Sequence, residues 1–137
     1  MKKPVKRVLF VCVENAGRSQ MAEAFFNKMA KTARASSAGT RQTSMVNPLV
    51  VEVMGELGID ISEAKPKLLT MEMLEEADRV ITMGCAIGDV CPSDLVENVE
   101  NWGIEDPAGK PIMEVRLIRD KIKKKVRALV DKIETSV

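Results

Sequence analysis

Short apolar runs alternate along the chain with longer segments in which apolar residues recur every three or four positions. Continuous apolar runs are typical of strands that are buried on both faces of a parallel sheet. They predict four strands, over Val5–Val11, Ala33–Ala38, Asp78–Met83 and Val96–Trp102. Spacing of three and four residues instead predicts helices that pack through one apolar stripe.

Signals at the helix ends predict four helices. Ser19 is expected to cap a first helix that starts at Gln20, because a serine hydroxyl can accept from the free amides of the first turn. Asn47 is expected to cap a second helix, which begins at Pro48 and runs to about Leu57. The other two cover Glu72–Ala77 and the segment from Pro111, whose apolar stripe is Val115, Ile118, Ile122, Val126, Leu129 and Ile133.

This order of elements predicts an α/β fold over residues 1–137, as a single domain with a central four-stranded parallel sheet flanked by helices on both faces. A length of 137 residues suits one such domain. Folds of this kind bind ligands beyond the carboxyl ends of their strands. The segment from Cys12 to Ser19 and the segment that begins at Cys85 each follow a strand, so we expect both to open toward the same edge.

Composition narrows the classes of function. The net charge is +1 and aromatic residues make up 3%, so we expect neither nucleic acid nor a membrane surface as a partner. The apolar runs are too short for a signal peptide or a membrane span, which predicts a cytoplasmic protein, with a monomer as the default state. Histidine is absent, which excludes an imidazole base and removes the commonest metal ligand. We therefore expect no metal and no cofactor.

The three cysteines, Cys12, Cys85 and Cys91, do not form a disulfide framework if the protein is cytoplasmic, since their number is odd and that compartment is reducing. They are then either buried apolar residues or a set of nucleophilic and redox-active thiols. The sequence around the first of them favours the second interpretation.

Five residues separate Cys12 from Arg18, and Ser19 follows directly. A short loop between a strand and a helix can direct successive backbone N–H groups inward, which makes a concave site for an oxyanion at the helix N-terminus. The predicted loop consists of Val13, Glu14, Asn15, Ala16, Gly17 and Arg18.

The residue types in and beside this loop are those needed for a thiolate to attack a tetrahedral oxyanion. Arg18 can grip two oxygens of the anion, and the same positive field favours the thiolate form of Cys12. The hydroxyl of Ser19 can donate to that thiolate, and Gly17 permits backbone angles that other residues resist. The alternative is a buried cysteine at the end of a strand and a surface arginine. The apolar strand before the loop and the helix after it favour the functional interpretation.

A thiolate that displaces an oxygen needs an acid to protonate the leaving group. Without histidine, a carboxylic acid is the obvious donor, and Asp106 stands before Pro107 in the segment WGIEDPAG. Proline fixes the local backbone and extends the residue before it. The same spacing is equally typical of an ordinary aspartate in a turn.

Taken together, these segments resemble the low-molecular-weight tyrosine phosphatase superfamily, and most closely its thioredoxin-coupled arsenate reductases. The resemblance covers nearly the whole chain and is most specific in VLFVCVENAGRSQMAEAFF and WGIEDPAG. It implies that Cys12 is the nucleophile, that Arg18 binds the oxyanion, that Ser19 supports the thiolate and that Asp106 is the general acid. Gln20 after the Arg-Ser pair is typical of the reductases, whereas the phosphatases usually have proline there.

The reductase branch implies a thiol relay. Cys12 attacks arsenate, Cys85 then attacks Cys12 with release of arsenite, and Cys91 attacks Cys85, leaving a disulfide that thioredoxin or a similar dithiol protein reduces. The alternative within the superfamily is a phosphatase that hydrolyses phosphate monoesters through a phosphocysteine. A third hypothesis is an oxyanion or redox sensor without turnover, since Glu14 stands where the family usually has glycine. Five residues lie between Cys85 and Cys91, one fewer than in the better-known reductases.

Overall fold

A computed structural model of the protein describes residues 5–41, 43–84 and 99–135. Its centre is a four-stranded sheet with the order β2-β1-β3-β4, in which all neighbouring strands are parallel. The strands are β1 (Arg7–Cys12), β2 (Arg34–Gly39), β3 (Arg79–Thr82) and β4 (Val99–Asn101). The prediction of a four-stranded parallel sheet is therefore confirmed. The first three residues of the predicted last strand, 96–98, lie outside the described residues.

Helices cover both faces of this sheet, as predicted. They are α1 (Arg18–Met29), α2 (Pro48–Gly55), α3 (Met71–Glu76) and α4 (Ile112–Thr135). Phe10 of β1 belongs to a large core cluster that contains residues of α1, α2 and α4, whereas Leu9 packs with Leu74 of α3 on the other face. The predicted stripe of α4 is buried at its first five positions and partly buried at Ile133.

The apolar run VLFV forms a strand because the sheet buries both of its faces. Val8, Leu9, Phe10 and Val11 are each at most 1% exposed. Burying side chains of this size stabilises the fold by roughly 1.5–3 kcal/mol each relative to exposure. This rigid strand ends at Cys12, so the site that follows starts from a fixed point.

The strand register brings the strand ends to one edge of the sheet. Val11 of β1 is paired with Ala38 of β2 on one side and with Thr82 of β3 on the other. The chain therefore leaves β1, β2 and β3 at nearly the same level. The expected common edge is confirmed as far as Gly84, and Cys85 lies outside the described residues.

Two predicted helix ends are wrong. Ser19 does not cap α1, since the helix already begins at Arg18 after Gly17 and has no side-chain cap. The Ser19 hydroxyl is instead engaged with the loop that precedes the helix. The second helix ends at Gly55 rather than near Leu57, although Asn47 does cap it by accepting from the amide of Leu49.

None of the helices in the described stretches combines the length and the apolar character needed to cross a bilayer.

Candidate active site

The sulfur of Cys12 lies at the bottom of the loop that joins β1 to α1. The residue is 2% exposed. Its Sγ accepts a hydrogen bond from the backbone N–H of Asn15 at 3.2 Å and lies 2.8 Å from Ser19 Oγ. Hydrogen-bond donors that converge on one sulfur stabilise its anionic form. The loop and the first turn of the helix therefore direct two hydrogen-bonding groups at the sulfur of Cys12.

The direction of the bond between Ser19 and Cys12 follows from a third residue. The side-chain amide of Asn15 donates to Ser19 Oγ at 2.7 Å. An amide N–H is always a donor, so the oxygen of Ser19 serves as its acceptor. The single hydroxyl proton is then free to point at Cys12 Sγ, in the arrangement that favours a thiolate.

The carbonyl groups of the loop point away from its centre. The carbonyls of Cys12, Val13 and Ala16 accept from the backbone amides of residues 40, 41 and 47, and the carbonyl of Gly17 accepts within α1. In a planar trans peptide the N–H points opposite to the C=O. The amides of residues 13, 14, 17 and 18 therefore point inward, where they form a concave set of donors for an oxyanion.

Asn15 holds the loop in this shape. It is fully buried and has a positive φ of 57°, a conformation that asparagine tolerates better than most residues. Its side-chain oxygen accepts from the Gln20 side-chain amide at 3.0 Å and from the backbone amide of Lys67 at 2.9 Å. The sequence analysis included Asn15 in the loop but did not predict that its side chain bonds to Ser19, Gln20 and Lys67. The signal that could have indicated this role is an asparagine in a tight loop before a helix.

Two glycines let other segments approach the loop closely. A Cβ on Gly39 would lie 2.6 Å from the carbonyl carbon of Glu14, so only glycine fits at the end of β2. A Cβ on Gly17 would lie 3.0 Å from Cγ of Pro107. The residue of the loop with a positive φ is Asn15, whereas Gly17 has a φ of −149°. What Gly17 provides is space for Pro107.

The guanidinium group of Arg18 connects the loop to the segment that carries Asp106. Arg18 is 7% exposed, and its Nη1 donates to the carbonyl of Ile104 at 2.8 Å. Its Nη2 lies 3.9 Å from Oδ2 of Asp106. Arginine presents several donors in a rigid plane, so anchoring one of them orients the others. Arg18, the residue expected to bind the oxyanion, is thus buried beside the loop, and its guanidinium group is fixed in orientation.

Asp106 lies at the opening of the site rather than in its interior. Its side chain is 58% exposed, and Oδ1 accepts from the backbone amide of Ala108 at 3.0 Å. This turn leaves Oδ2 directed toward Arg18. Asp106, the predicted acid, therefore lies beside Arg18 and lines the same pocket as Cys12.

A pocket of about 180 Å³ joins these groups. It is large enough for a tetrahedral oxyanion. Glu14 is exposed and also lines the pocket. The described residues that line the pocket are Cys12, Glu14, Ala16, Gly17, Arg18, Thr43, Met45, Asn47, Asp106, Pro107 and Ala108.

Cys85 and Cys91 lie outside the described residues. The chain approaches Cys85 through Gly84, whose φ is +137°. A Cβ on Gly84 would lie 3.8 Å from Nη1 of Arg18. Gly84, which directly precedes Cys85 in the sequence, therefore lies close to the guanidinium group of Arg18. The structure thus unites Cys12, Arg18, Ser19 and Asp106, whereas the two other thiols stay predictions.

Within residues 5–41, 43–84 and 99–135, no group of three or more cysteine and carboxylate side chains is arranged to hold a metal ion.

The chain is similar to proteins of a known family. The model of the family described as low molecular weight phosphotyrosine protein phosphatase matches residues 7–137. An arsenate reductase of Staphylococcus aureus (strain Newman) is 43% identical over 122 residues, which are 86% of this chain and 91% of that protein.

Solved structures of arsenate reductases share the fold. The arsenate reductase from Archaeoglobus fulgidus has a TM-score of 0.78 and 37% identity, over 90% of this chain and 98% of that one. The thioredoxin-dependent arsenate reductase of Corynebacterium glutamicum has a TM-score of 0.79 and 40% identity, over 100% of this chain and 66% of that one.

Proposed function

Because the chain belongs to the low molecular weight phosphotyrosine protein phosphatase family, we propose that it uses the phosphatase loop to reduce arsenate to arsenite. The observation that carries this proposal is the thiol of Cys12, held by two donors at the bottom of a loop whose amides converge on one point. The names of the relatives select arsenate as the substrate.

In the first step the loop binds arsenate and Cys12 attacks the arsenic. The inward amides and Arg18 would surround the oxygens, as donors placed where negative charge collects. Nη1 of Arg18 already donates to the carbonyl of Ile104, which anchors the guanidinium group and leaves its other N–H groups as donors for the anion. The sulfur–arsenic bond forms as one arsenic–oxygen bond breaks.

Asp106 is the acid that protonates the departing oxygen. Its carboxyl group lies at the pocket opening, beside Arg18 and opposite the buried sulfur. An acid on the side of the leaving group is the arrangement that such a displacement requires. The oxygen leaves as water, and arsenic remains bound to Cys12 in the pentavalent state.

The two electrons come from thiols. The thiolate of Cys85 attacks the sulfur of Cys12, and the electron pair of the sulfur–arsenic bond passes to arsenic, which leaves as arsenite. Cys91 then attacks Cys85 and releases Cys12 as a thiolate. A dithiol protein such as thioredoxin reduces the resulting disulfide between Cys85 and Cys91.

The alternative is hydrolysis of phosphate monoesters by the same loop. The description of the matching family favours it, because the pocket, the nucleophile and the acid would serve both reactions. The phosphatase reaction needs only Cys12, Arg18 and Asp106, with water in the second step. It has no use for Cys85 or Cys91, which is the chemical difference that an experiment can exploit.

The test is consumption of reduced thioredoxin when arsenate is added. The wild-type protein should turn over many times, whereas Cys85→Ser and Cys91→Ser should stop after at most one equivalent of arsenite. Hydrolysis of p-nitrophenyl phosphate by the same variants serves as the control for an intact loop.

Continued turnover of arsenate by Cys85→Ser with thioredoxin alone would refute the relay. If arsenate drives no thioredoxin oxidation while all variants hydrolyse the ester, the protein is a phosphatase. The proposal includes no metal and no cofactor, and it takes the protein to act as a cytoplasmic monomer.

A further inference from the structure

Glu14 is an acidic residue in a loop built to bind an anion. Among the described residues that line the pocket, Arg18 is the one cation, while Glu14 and Asp106 are both carboxylic acids. Asp106 is engaged with Arg18 and with the amide of Ala108. Glu14 is exposed. It therefore adds a second carboxylate to the residues that line the pocket.

The loop cannot carry this charge away from the pocket by a small shift of its backbone. The carbonyl of Val13 is fixed by the amide of Arg41, and the backbone of Glu14 is packed directly against Gly39. One residue, Val13, separates Glu14 from Cys12, so their Cα atoms are two steps of about 3.8 Å apart and lie within about 7.6 Å of each other. This distance is shorter than the Debye length of about 8 Å at physiological ionic strength.

We infer that Glu14 is a specificity-determining residue that lowers the affinity of the pocket for oxyanions in proportion to their charge. The carboxylate opposes a bound dianion twice as strongly as a monoanion, because Coulomb energy is linear in the charge of the ligand. The pocket thereby holds divalent oxyanions, arsenate and inorganic phosphate alike, less tightly than its amides and Arg18 alone would, and it favours monovalent anions in comparison. The inference rests on the proposed oxyanion site but not on the relay.

The expected effect of removing the charge is moderate, since the side chain is exposed to water. At a separation of about 8 Å and an effective dielectric constant near that of water, neutralising Glu14 should tighten a monoanion about 2.4-fold. The same change should tighten a dianion by about the square of that factor, roughly sixfold. Both gains should shrink as salt is added.

Sulfate and perchlorate are suitable probes because both are tetrahedral and they differ in charge. Their dissociation constants can be measured by how they protect Cys12 from alkylation by iodoacetamide, which requires no turnover. The proteins are the wild type, Glu14→Gln, Glu14→Asp as the variant that keeps the charge, and Glu75→Gln. Glu75 is an exposed glutamate on α3, outside the pocket, and serves as the matched control.

At an ionic strength of about 0.01 M, Glu14→Gln should bind sulfate about sixfold and perchlorate about 2.4-fold more tightly than the wild type. At about 0.5 M both differences should nearly vanish. Glu14→Asp and Glu75→Gln should stay close to the wild type.

Equal changes for the two anions, or a change that salt does not reduce, would overturn the inference. So would unchanged binding by Glu14→Gln. If neither anion protects Cys12 in the wild type at either ionic strength, the oxyanion site itself is refuted, and the proposed function fails with it.

Discussion

The hydroxyl oxygen of Ser19 lies 2.8 Å from the sulfur of Cys12, and the Asn15 side chain donates to that same oxygen. This short chain of contacts links the first turn of α1 to the end of β1. It gives Ser19 a use other than the helix cap that its position in the sequence suggested. The sulfur of Cys12 is therefore contacted by a hydroxyl group on the helix that follows the loop.

Replacing Ser19 with alanine should slow the reactions of Cys12. Hydrogen bonds to charged groups contribute about 1.5–3 kcal/mol, so losing this one should reduce the alkylation rate of Cys12 at neutral pH by about tenfold or more. The measurement is the rate of iodoacetamide modification. Ser36→Ala, at an exposed position of β2, is the matched control. Equal rates in the Ser19 variant and the wild type would mean that the hydroxyl does not stabilise the thiolate.

Replacing Asp106 with asparagine should slow the chemical step without weakening anion binding. General acid catalysis typically contributes a factor of about 10²–10⁴, and the amide cannot deliver a proton. The kcat for arsenate reduction should fall in that range, while protection of Cys12 by sulfate is kept or improved. Glu105→Gln is the control, because this neighbouring carboxylate pairs with Lys110 instead. A kcat that falls equally in both variants would argue against Asp106 as the acid.

Replacing Gly39 with alanine should disturb the loop. The added Cβ would meet the backbone of Glu14 and Asn15 at 2.6 and 2.7 Å, which the chain cannot relieve by rotating a side chain. We expect a loss of about 1–3 kcal/mol in the free energy of unfolding, together with slower alkylation of Cys12. Gly55→Ala, where nothing lies within 4 Å, should instead leave the loop intact and stabilise by about 0.4–1 kcal/mol. Urea unfolding curves of both variants measure the contrast.

Glu134 predicts an acid-dependent stability. Backbone and side-chain hydrogen bonds from Thr32, together with the amide of Lys31, lower the pKa of Glu134 from 4.5 to about 2. Because the folded pKa lies below the unfolded one, the carboxylate stabilises the fold above about pH 4.5 and loses that effect as the pH falls toward 2. Glu134→Gln should lower Tm by a few degrees at neutral pH. The difference from the wild type should disappear over that acidic range, and a constant difference would contradict this explanation.

The sequence predicted the sheet and most helices because their signals are local. The run VLFV is continuously apolar, and the stripe of α4 recurs every three or four positions. Burial in the structure follows both patterns. The cap of α2 by Asn47 was predicted for the same reason. The loop from Cys12 to Ser19 was found because its spacing and its flanking elements agree.

The features that could not be predicted from the sequence depend on contacts between residues that are far apart along the chain. Asn15 is held by the backbone of Lys67, 52 positions away, and no periodicity reports such a contact. The need for glycine at position 39 arises from the loop that crosses it, and the need at position 17 arises from Pro107. Asp106 was ambiguous from its own spacing, since only folding brings it to Arg18.

The most direct test of the central claim is to trap the first disulfide of the relay. Cys91→Ser should be treated with one equivalent of arsenate, quenched in acid, digested and analysed by mass spectrometry. The relay predicts one arsenite per chain and a peptide pair joined by a disulfide between Cys12 and Cys85. Release of arsenite while Cys12 and Cys85 both remain free thiols would contradict it.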